Sequence, residues 1–253
     1  VNIVTRKLGT MKLRSSVMNE DMISSAELSR AACCNLGESF VTNPSVDVSY
    51  SDAATGAKQI KLLGLSGTYV QMLTENIPNY RGAAAPYGLG YVPGPWMQSI
   101  QVSKGTSSVK NGYEAITGQI NVEFKKPQLP EADWVSANLF ASTTNRYEAN
   151  ADATLKISKR WSTSLLAHYE NETKAHDGND DGFVDIPQVE QYNVWNRWAY
   201  MGDHYVFQAG IKALSETRTS GQANHGGTMH SGDLYKVGID TERYEFFTKN
   251  AYI

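Results

Sequence analysis

The second half of the chain alternates strictly between apolar and polar side chains. Along residues 146–157, tyrosine, alanine, leucine or isoleucine occupies every second position, and a polar or charged residue stands between each pair. A period of two places the apolar side chains on one face of a β-strand and the polar ones on the other. The strands predicted in this way are residues 135–141, 146–157, 161–169 and 205–213, with a noisier last strand that includes Tyr244, Phe246 and Tyr252.

The connections between these strands alternate in length. Short breaks fall near residues 143–145, 158–160 and 202–203, whereas long ones fall at 174–190 and 217–241. Short turns on one side, long loops on the other and aromatic residues near strand ends are typical of an outer-membrane β-barrel. The alternative is a soluble β-sandwich with one solvated face.

The first half, up to about Pro127, has shorter and more punctuated segments that predict a small mixed unit of helix and strand. Ser24-x-x-Glu27 fits a capping box, and apolar residues at helical spacing follow it until Asn43-Pro44. Strands are expected at residues 46–50, 59–65, 69–75, 99–103 and 118–124. The predicted fold class is therefore an α+β domain followed by antiparallel transmembrane β-barrel strands, which form an incomplete barrel.

Composition narrows the possible classes of function. The formal net charge of −3 argues against nucleic acid as a partner, because proteins bind nucleic acid through basic surfaces. No apolar run reaches the ~18 residues of a membrane-spanning helix, although strands that cross a membrane look hydrophilic on average. Val1 to Met11 show no basic start followed by an apolar stretch, so we expect no signal peptide and either a cytosolic or a mature, trimmed chain.

Several segments carry a resemblance to the plug domain of TonB-dependent outer-membrane receptors. Residues 99–122, SIQVSKGTSSVKNGYEAITGQINV, resemble its closing segment: a strand, a Lys-Gly turn, two spaced glycines and a strand that leads into the barrel. IKLLGL at 60–65 and the turn at 72–78 take the places of two further family motifs, with departures at Lys61 and Leu63. ACCNLGESF at 32–40 and PGPWMQSI at 93–100 resemble the Bacteroidetes version. The resemblance implies a plug domain over 1–127 and the first barrel strands over 128–253.

The opening sequence VNIVTR resembles the TonB box, with Val1, Ile3, Val4, Thr5 and Arg6 as the residues expected to bind TonB. β-Branched residues favour an extended backbone, and an unpaired strand can join the sheet of a partner through main-chain hydrogen bonds. The alternative is an ordinary first strand of the plug domain.

The resemblance also implies a barrel larger than this chain can build. Plugged barrels of this class have about 22 strands, and the residues after Pro127 supply about six. We therefore expect a longer receptor, or a second chain that completes the wall, since the open strand edge after Tyr252 would otherwise be prone to pairing.

By the same resemblance, the expected function is uptake of a scarce extracellular ligand across the outer membrane, driven by TonB. The loop at 78–94 is glycine- and tyrosine-rich, and its candidate ligand contacts are Asn79, Tyr80, Arg81, Tyr87 and Tyr91. These residues suit a ferric siderophore, haem, cobalamin or a metal chelate, and they also suit plain loop structure. A plug-like surface module that binds ligand or transmits a signal without transport is the alternative.

Few other residues suggest metal binding, redox chemistry or catalysis. Cys33 and Cys34 are adjacent and are interpreted as small core residues, with a metal or redox role as the alternative. His225 and His230 lie in a long loop and could bind copper, zinc or haem iron, or simply be solvated. No nucleophile, paired-carboxylate or phosphate-loop arrangement is present, so we do not expect an enzyme.

The loop DGNDDGFVDIPQ at 177–188 resembles a calcium-binding EF-hand loop as far as its ninth position. Gln188 stands at position 12 in place of the bidentate glutamate, so either Gln188 supplies one oxygen, Glu190 reaches in, or the site is weak. An acidic solvated turn is the alternative. The expected ligands are the side chains of Asp177, Asn179, Asp181 and Asp185 and the carbonyl of Phe183.

Overall fold

The computed structural model describes residues 10–12, 19–30, 34–41, 43–52, 54–65, 67–106, 113–128, 134–223 and 234–252. The chain divides into two compact units. The N-terminal unit comprises Val1–Ser51 and Ala57–Lys125, and the C-terminal unit comprises Asp52–Gly56 and Lys126–Ile253. Within the described ranges, no helix combines the length and the apolar character needed to cross a membrane.

A six-stranded mixed sheet with the order β1-β2-β7-β8-β5-β6 forms the centre of the N-terminal unit. β8 lies between β7, which is antiparallel to it, and β5, which is parallel. Ile120 and Asn121 of β8, whose side chains point to opposite faces, are almost fully buried, as expected of a central strand that is covered on both faces. The strands of this sheet are β1 (Thr10–Lys12), β2 (Asn19–Ser24), β5 (Val70–Thr74), β6 (Ile77–Pro78), β7 (Met97–Lys104) and β8 (Gly118–Phe124).

A separate two-stranded sheet consists of β3 (Val46–Asp52) and β4 (Ala57–Leu62). The helical segments are short: α1 (Ser25–Arg30), α2 (Ala85–Gly88) and the 3-10 turns Leu36–Phe40, Gly67–Tyr69, Gly82–Ala84 and Gly94–Trp96. The five strands expected in this half all occur, with shifts of a few residues at their ends.

The single long helix expected after Ser24 is wrong. α1 ends at Arg30, and a 3-10 turn begins only at Leu36. Between them Asn35 has an extended backbone and forms a β-bridge with Pro93. Its side-chain oxygen accepts a hydrogen bond from the Glu38 amide at 3.2 Å, so a capping contact interrupts the helical spacing.

Gly118 begins β8 in a conformation that other residues avoid. Its φ is +155°, and a Cβ built there would lie 2.1 Å from the carbonyl oxygen of Ser103 and 2.6 Å from Cδ2 of Leu62. The backbones of β7 and β8 therefore approach so closely at this point that only glycine fits.

The C-terminal unit contains a six-stranded antiparallel sheet in which each strand pairs with the next along the chain. β9 and β14 are its edges within the described residues. Its strands are β9 (Val135–Ala141), β10 (Tyr147–Lys156), β11 (Trp161–Glu172), β12 (Gln188–Met201), β13 (Tyr205–Gly221) and β14 (Lys236–Tyr252).

Two features of this sheet differ from the expectation. β12 was not among the strands predicted, because its apolar and polar residues do not alternate cleanly: Asn196 shares a face with Val194 and Trp198, and Trp195 shares the other face with Arg197. The long loop expected at 217–241 is also shorter, since β13 runs to Gly221 and β14 starts at Lys236. Main-chain pairing continues past the apolar residues because it does not depend on the side chains.

Candidate functional site

The two faces of the C-terminal sheet have inverted polarity. On β10, Glu148 and Asn150 are 3% and 5% exposed, whereas Tyr147 and Leu155 are 51% and 56% exposed. β11 repeats this pattern, with buried His168 beside exposed Leu165. A soluble sheet buries its apolar face instead, so the observed pattern is the one expected of strands whose apolar face meets lipid.

Ion pairs and hydrogen bonds join several side chains of the buried polar face. The guanidinium of Arg146 contacts a carboxylate oxygen of Glu148 at 2.6 Å and one of Glu170 at 3.0 Å. Nδ1 of His168 lies 2.8 Å from Oδ1 of Asn150 on the neighbouring strand. Because a buried charge is costly unless it is paired, these contacts stabilise the polar side of the sheet.

Arg197 has a different environment on the same face. It is 2% exposed, and its guanidinium carbon lies 4.5 Å from the ring centre of Trp195 and 5.7 Å from that of Phe247. A Cβ at Gly210 would lie 2.4 Å from Phe247 and 2.8 Å from Trp195. The missing side chain at Gly210 therefore leaves room for the two rings that stack on Arg197. This cluster could not be predicted from the sequence, because the mixed faces of β12 hide its alternation.

Aromatic side chains gather at two levels of the exposed face. Trp161 packs against Tyr200 and Phe207, with ring centres 5.1 and 6.2 Å away, close to the short turns. Tyr169 and Tyr192 pack together farther along the same strands, with ring centres 4.9 Å apart. Two such groups with an apolar band between them are typical of barrel strands at the two membrane interfaces.

The loop at 78–94 presents only part of the expected ligand contacts. Tyr80 and Tyr91 are 4% and 2% exposed, and they pack with ring centres 6.4 Å apart. Asn79 accepts a hydrogen bond from the Tyr80 amide at 2.8 Å through its side-chain oxygen, and Tyr87 is half-buried. The structure therefore places Tyr80 and Tyr91 in the interior of the loop and leaves Arg81 as its exposed candidate.

Arg81 pairs with Glu114, a residue that the sequence analysis did not single out. Its Nε lies 2.9 Å from both carboxylate oxygens, and an Nη atom lies 2.7 Å from Oε1. The hydrogen bonds to Glu114 raise the pKa of Arg81 above its ordinary value, so this residue keeps its positive charge. Glu114 belongs to the family-like segment 99–122, but its spacing from Arg81 gives no sign of the contact.

The aspartate-rich loop between β11 and β12 is held by its own hydrogen bonds. The carboxylate of Asp177 accepts from the amides of Asp181 and Gly182 at 3.2 and 2.8 Å, and that of Asp181 accepts from the Phe183 amide at 2.8 Å. Asp185 accepts from the Gly178 amide at 2.6 Å. Across the described residues, no three His, Cys, Asp or Glu side chains converge as a metal site. Calcium binding at this loop stays a prediction.

Several predicted site residues lie outside the described residues: Val1, Ile3, Val4, Thr5 and Arg6 of the TonB-box segment, Cys33, and the pair His225 and His230. Cys34 is described and is 6% exposed. Its burial agrees with the interpretation as a small core residue.

Comparison with known proteins identifies the N-terminal unit. Residues 12–119 match the family model of the TonB-dependent receptor plug domain. The chain thus carries a plug domain, and the antiparallel strands of the second sheet follow it in sequence. No curated protein matches the sequence.

Solved structures of such receptors share this fold. The pyoverdine receptor FpvA of P. aeruginosa, in complex with a heterologous pyoverdine and iron, superposes over 95% of this chain with a TM-score of 0.71 and 13% identity. The ferric-catecholate import receptor Fiu of E. coli superposes over 80% of it, with a TM-score of 0.63 and 18% identity. The copper transporter OprC superposes over 93% of it, with a TM-score of 0.64 and 14% identity. The chain spans 32%, 28% and 35% of those three proteins, which is about a third of their length.

Proposed function

We propose that this chain provides the plug and the first barrel strands of a TonB-dependent outer-membrane transporter, which takes up a scarce ligand from outside the cell. The inverted polarity of the C-terminal sheet carries the proposal, because an exposed apolar face on strands that follow a plug domain in sequence suits a barrel wall in lipid. Outer-membrane lipid, TonB and the remainder of the barrel are its proposed partners.

The proposed ligand is a small molecule or metal chelate: a ferric siderophore, haem or cobalamin, or another chelated metal. The related structures support the metal-chelate class, since their names describe receptors for ferric pyoverdine, for ferric catecholate and for copper. Within the plug, Arg81 supports a contact with the ligand because it is exposed and charged, and Asn79 and Tyr87 are its half-buried neighbours in the loop.

The segment Val1–Arg6 is proposed to bind TonB by strand addition. A proline at Ile3 removes a main-chain donor that such pairing uses. Ile3→Pro is therefore expected to abolish uptake while ligand binding is retained. Ile3→Val is the matched control, since it keeps both the donor and the β-branched side chain.

The experiment measures uptake of radioactive iron by cells that lack their own iron receptors and express this protein, with ferric siderophores, ferric citrate and haem as the supplied sources. Transport at the normal rate by Ile3→Pro would overturn the TonB assignment. Binding of an iron source by cells that never accumulate iron would favour the non-transporting module.

A further inference from the structure

An ion pair on the surface of the N-terminal unit joins two segments that are far apart in sequence. Arg81 lies in the loop at 78–94, and Glu114 lies just before β8. Their side chains are 47% and 27% exposed. The contact is thus partly exposed to solvent at the surface of this unit.

The geometry of the pair is that of a carboxylate held in the fork of a guanidinium. Three donor–acceptor distances of 2.7 to 2.9 Å join Nε and an Nη atom of Arg81 to the two oxygens of Glu114. Such a fork recognises any planar anion with two oxygens in the same way, including a carboxylate or a catecholate. Glu114 therefore occupies the position that an anionic group of a ligand would take.

Replacing Glu114 by an external anion is inexpensive in free energy. Exposed ion pairs contribute little to stability, because water and salt screen them and two long side chains must be ordered. A ligand that brings its own anion therefore loses only the small energy of the Arg81–Glu114 pair, whereas a neutral ligand gains nothing from the fork. Glu114 would still attract a cationic group.

We propose that Arg81 is an anion-binding group that Glu114 occupies when no ligand is present, so that the plug selects anionic metal chelates by exchange of the Glu114 carboxylate for an anionic group of the ligand. The inference rests on the proposed function, because it takes the loop at 78–94 to face the ligand. Glu114 acts here as an internal competitor that weakens binding and sets its charge preference.

Binding to the purified protein tests this directly, with quenching of tryptophan fluorescence as the signal. The probes are two anionic chelates, ferric citrate and a ferric tricatecholate, and one neutral ferric trihydroxamate. Glu114→Gln should bind at least one anionic chelate about two- to fivefold more tightly than wild type, as expected when an exposed competitor is removed. Arg81→Gln should lose at least about tenfold in affinity for that chelate, since a charged hydrogen-bond donor is gone.

Matched variants separate this effect from a general change in charge or folding. Asp21→Asn removes a carboxylate from the Asp21–Lys104 pair, whose atoms are 2.6 Å apart in the same unit, and it should leave the affinity unchanged. Glu114→Asp keeps the charge and should stay close to wild type. Far-UV circular dichroism verifies that each variant keeps its β-structure.

Each remaining outcome decides the question. An equal gain for the neutral chelate, an equal gain in Asp21→Asn, or no gain in Glu114→Gln would overturn the inference, as would a failure of both anionic chelates to bind Glu114→Gln. If Glu114→Gln binds an anionic chelate more tightly but cells show no uptake driven by TonB, the inference stands and the transporter proposal fails.

Discussion

A charge placed at the middle of the exposed apolar face should be costly if that face meets lipid. Leu165 is the position for this test. It lies on β11 halfway between Trp161 and Tyr169, which belong to the two aromatic groups, and it is 47% exposed.

The depth of Leu165 follows from strand geometry. Eight residues at a rise of about 3.3 Å span roughly 26 Å along the strand. With a tilt of about 40°, this becomes roughly 20 Å along the membrane normal, close to the ~25 Å apolar band of such barrels. Leu165 is then about 10 Å from either interface. An arginine near the midplane costs about 2–4 kcal/mol.

The measurement is the free energy of unfolding in phosphatidylcholine vesicles, by guanidinium titration with tryptophan fluorescence. Ile157→Arg is the matched control. Ile157 is also exposed, at 52%. Its amide donates to the carbonyl of Trp161 at 2.9 Å, so Ile157 lies at the level of the aromatic group that contains Trp161. Arginine at an interface costs only about 0–1 kcal/mol.

A soluble sheet makes a different prediction. There Leu165 would be an ordinary surface residue, and arginine would change stability by no more than about 0.5 kcal/mol. Equal costs at Leu165 and Ile157, or a negligible cost at Leu165, would refute the assignment of this face to lipid.

Three further predictions concern single positions. Gly118→Ala should destabilise the N-terminal unit by about 2–5 kcal/mol, because strained backbone and a clash with Ser103 add together, and faster hydrogen exchange in β7 and β8 would show it. Gly210→Ala should cost about 1–3 kcal/mol by displacing the rings on Arg197, whereas a stability equal to wild type would contradict the packing argument. Calorimetry with millimolar calcium should give binding heat for wild type and less for Asp181→Ala, and no heat from either protein would rule out the calcium site.

Much of the architecture could be predicted because it depends on local periodicity. Strict alternation of apolar and polar residues predicts β9, β10 and β11, and the observed bounds of these strands differ little from the predicted ones. β12 was not predicted, because Asn196 interrupts its apolar face. In the structure Asn196 is satisfied by Trp198, whose ring N–H donates to its side-chain oxygen at 2.7 Å, and sequence spacing does not reveal such a pairing.

The candidate site was less predictable, because exposure in a loop depends on tertiary packing. Tyrosines in a glycine-rich loop suggested an aromatic surface, but Tyr80 turns inward with a positive φ of 52° and packs against Tyr91. A left-handed tyrosine is uncommon and persists only where its surroundings hold it. The partner of Arg81 was likewise invisible, since 33 residues separate it from Glu114.

The polar face of the C-terminal sheet also favours its observed register. Glu148 lies directly opposite Glu170 in the β10–β11 ladder, and like charges in that position repel. Arg146, two residues before Glu148 and thus on the same face, binds both carboxylates. A slip of one residue would turn Glu148 and its polar neighbours toward the apolar side. With lipid on that side, each exposed charge adds a penalty on the order of 1 kcal/mol or more, so the same alternation that identifies the strands also excludes their misregistered pairings.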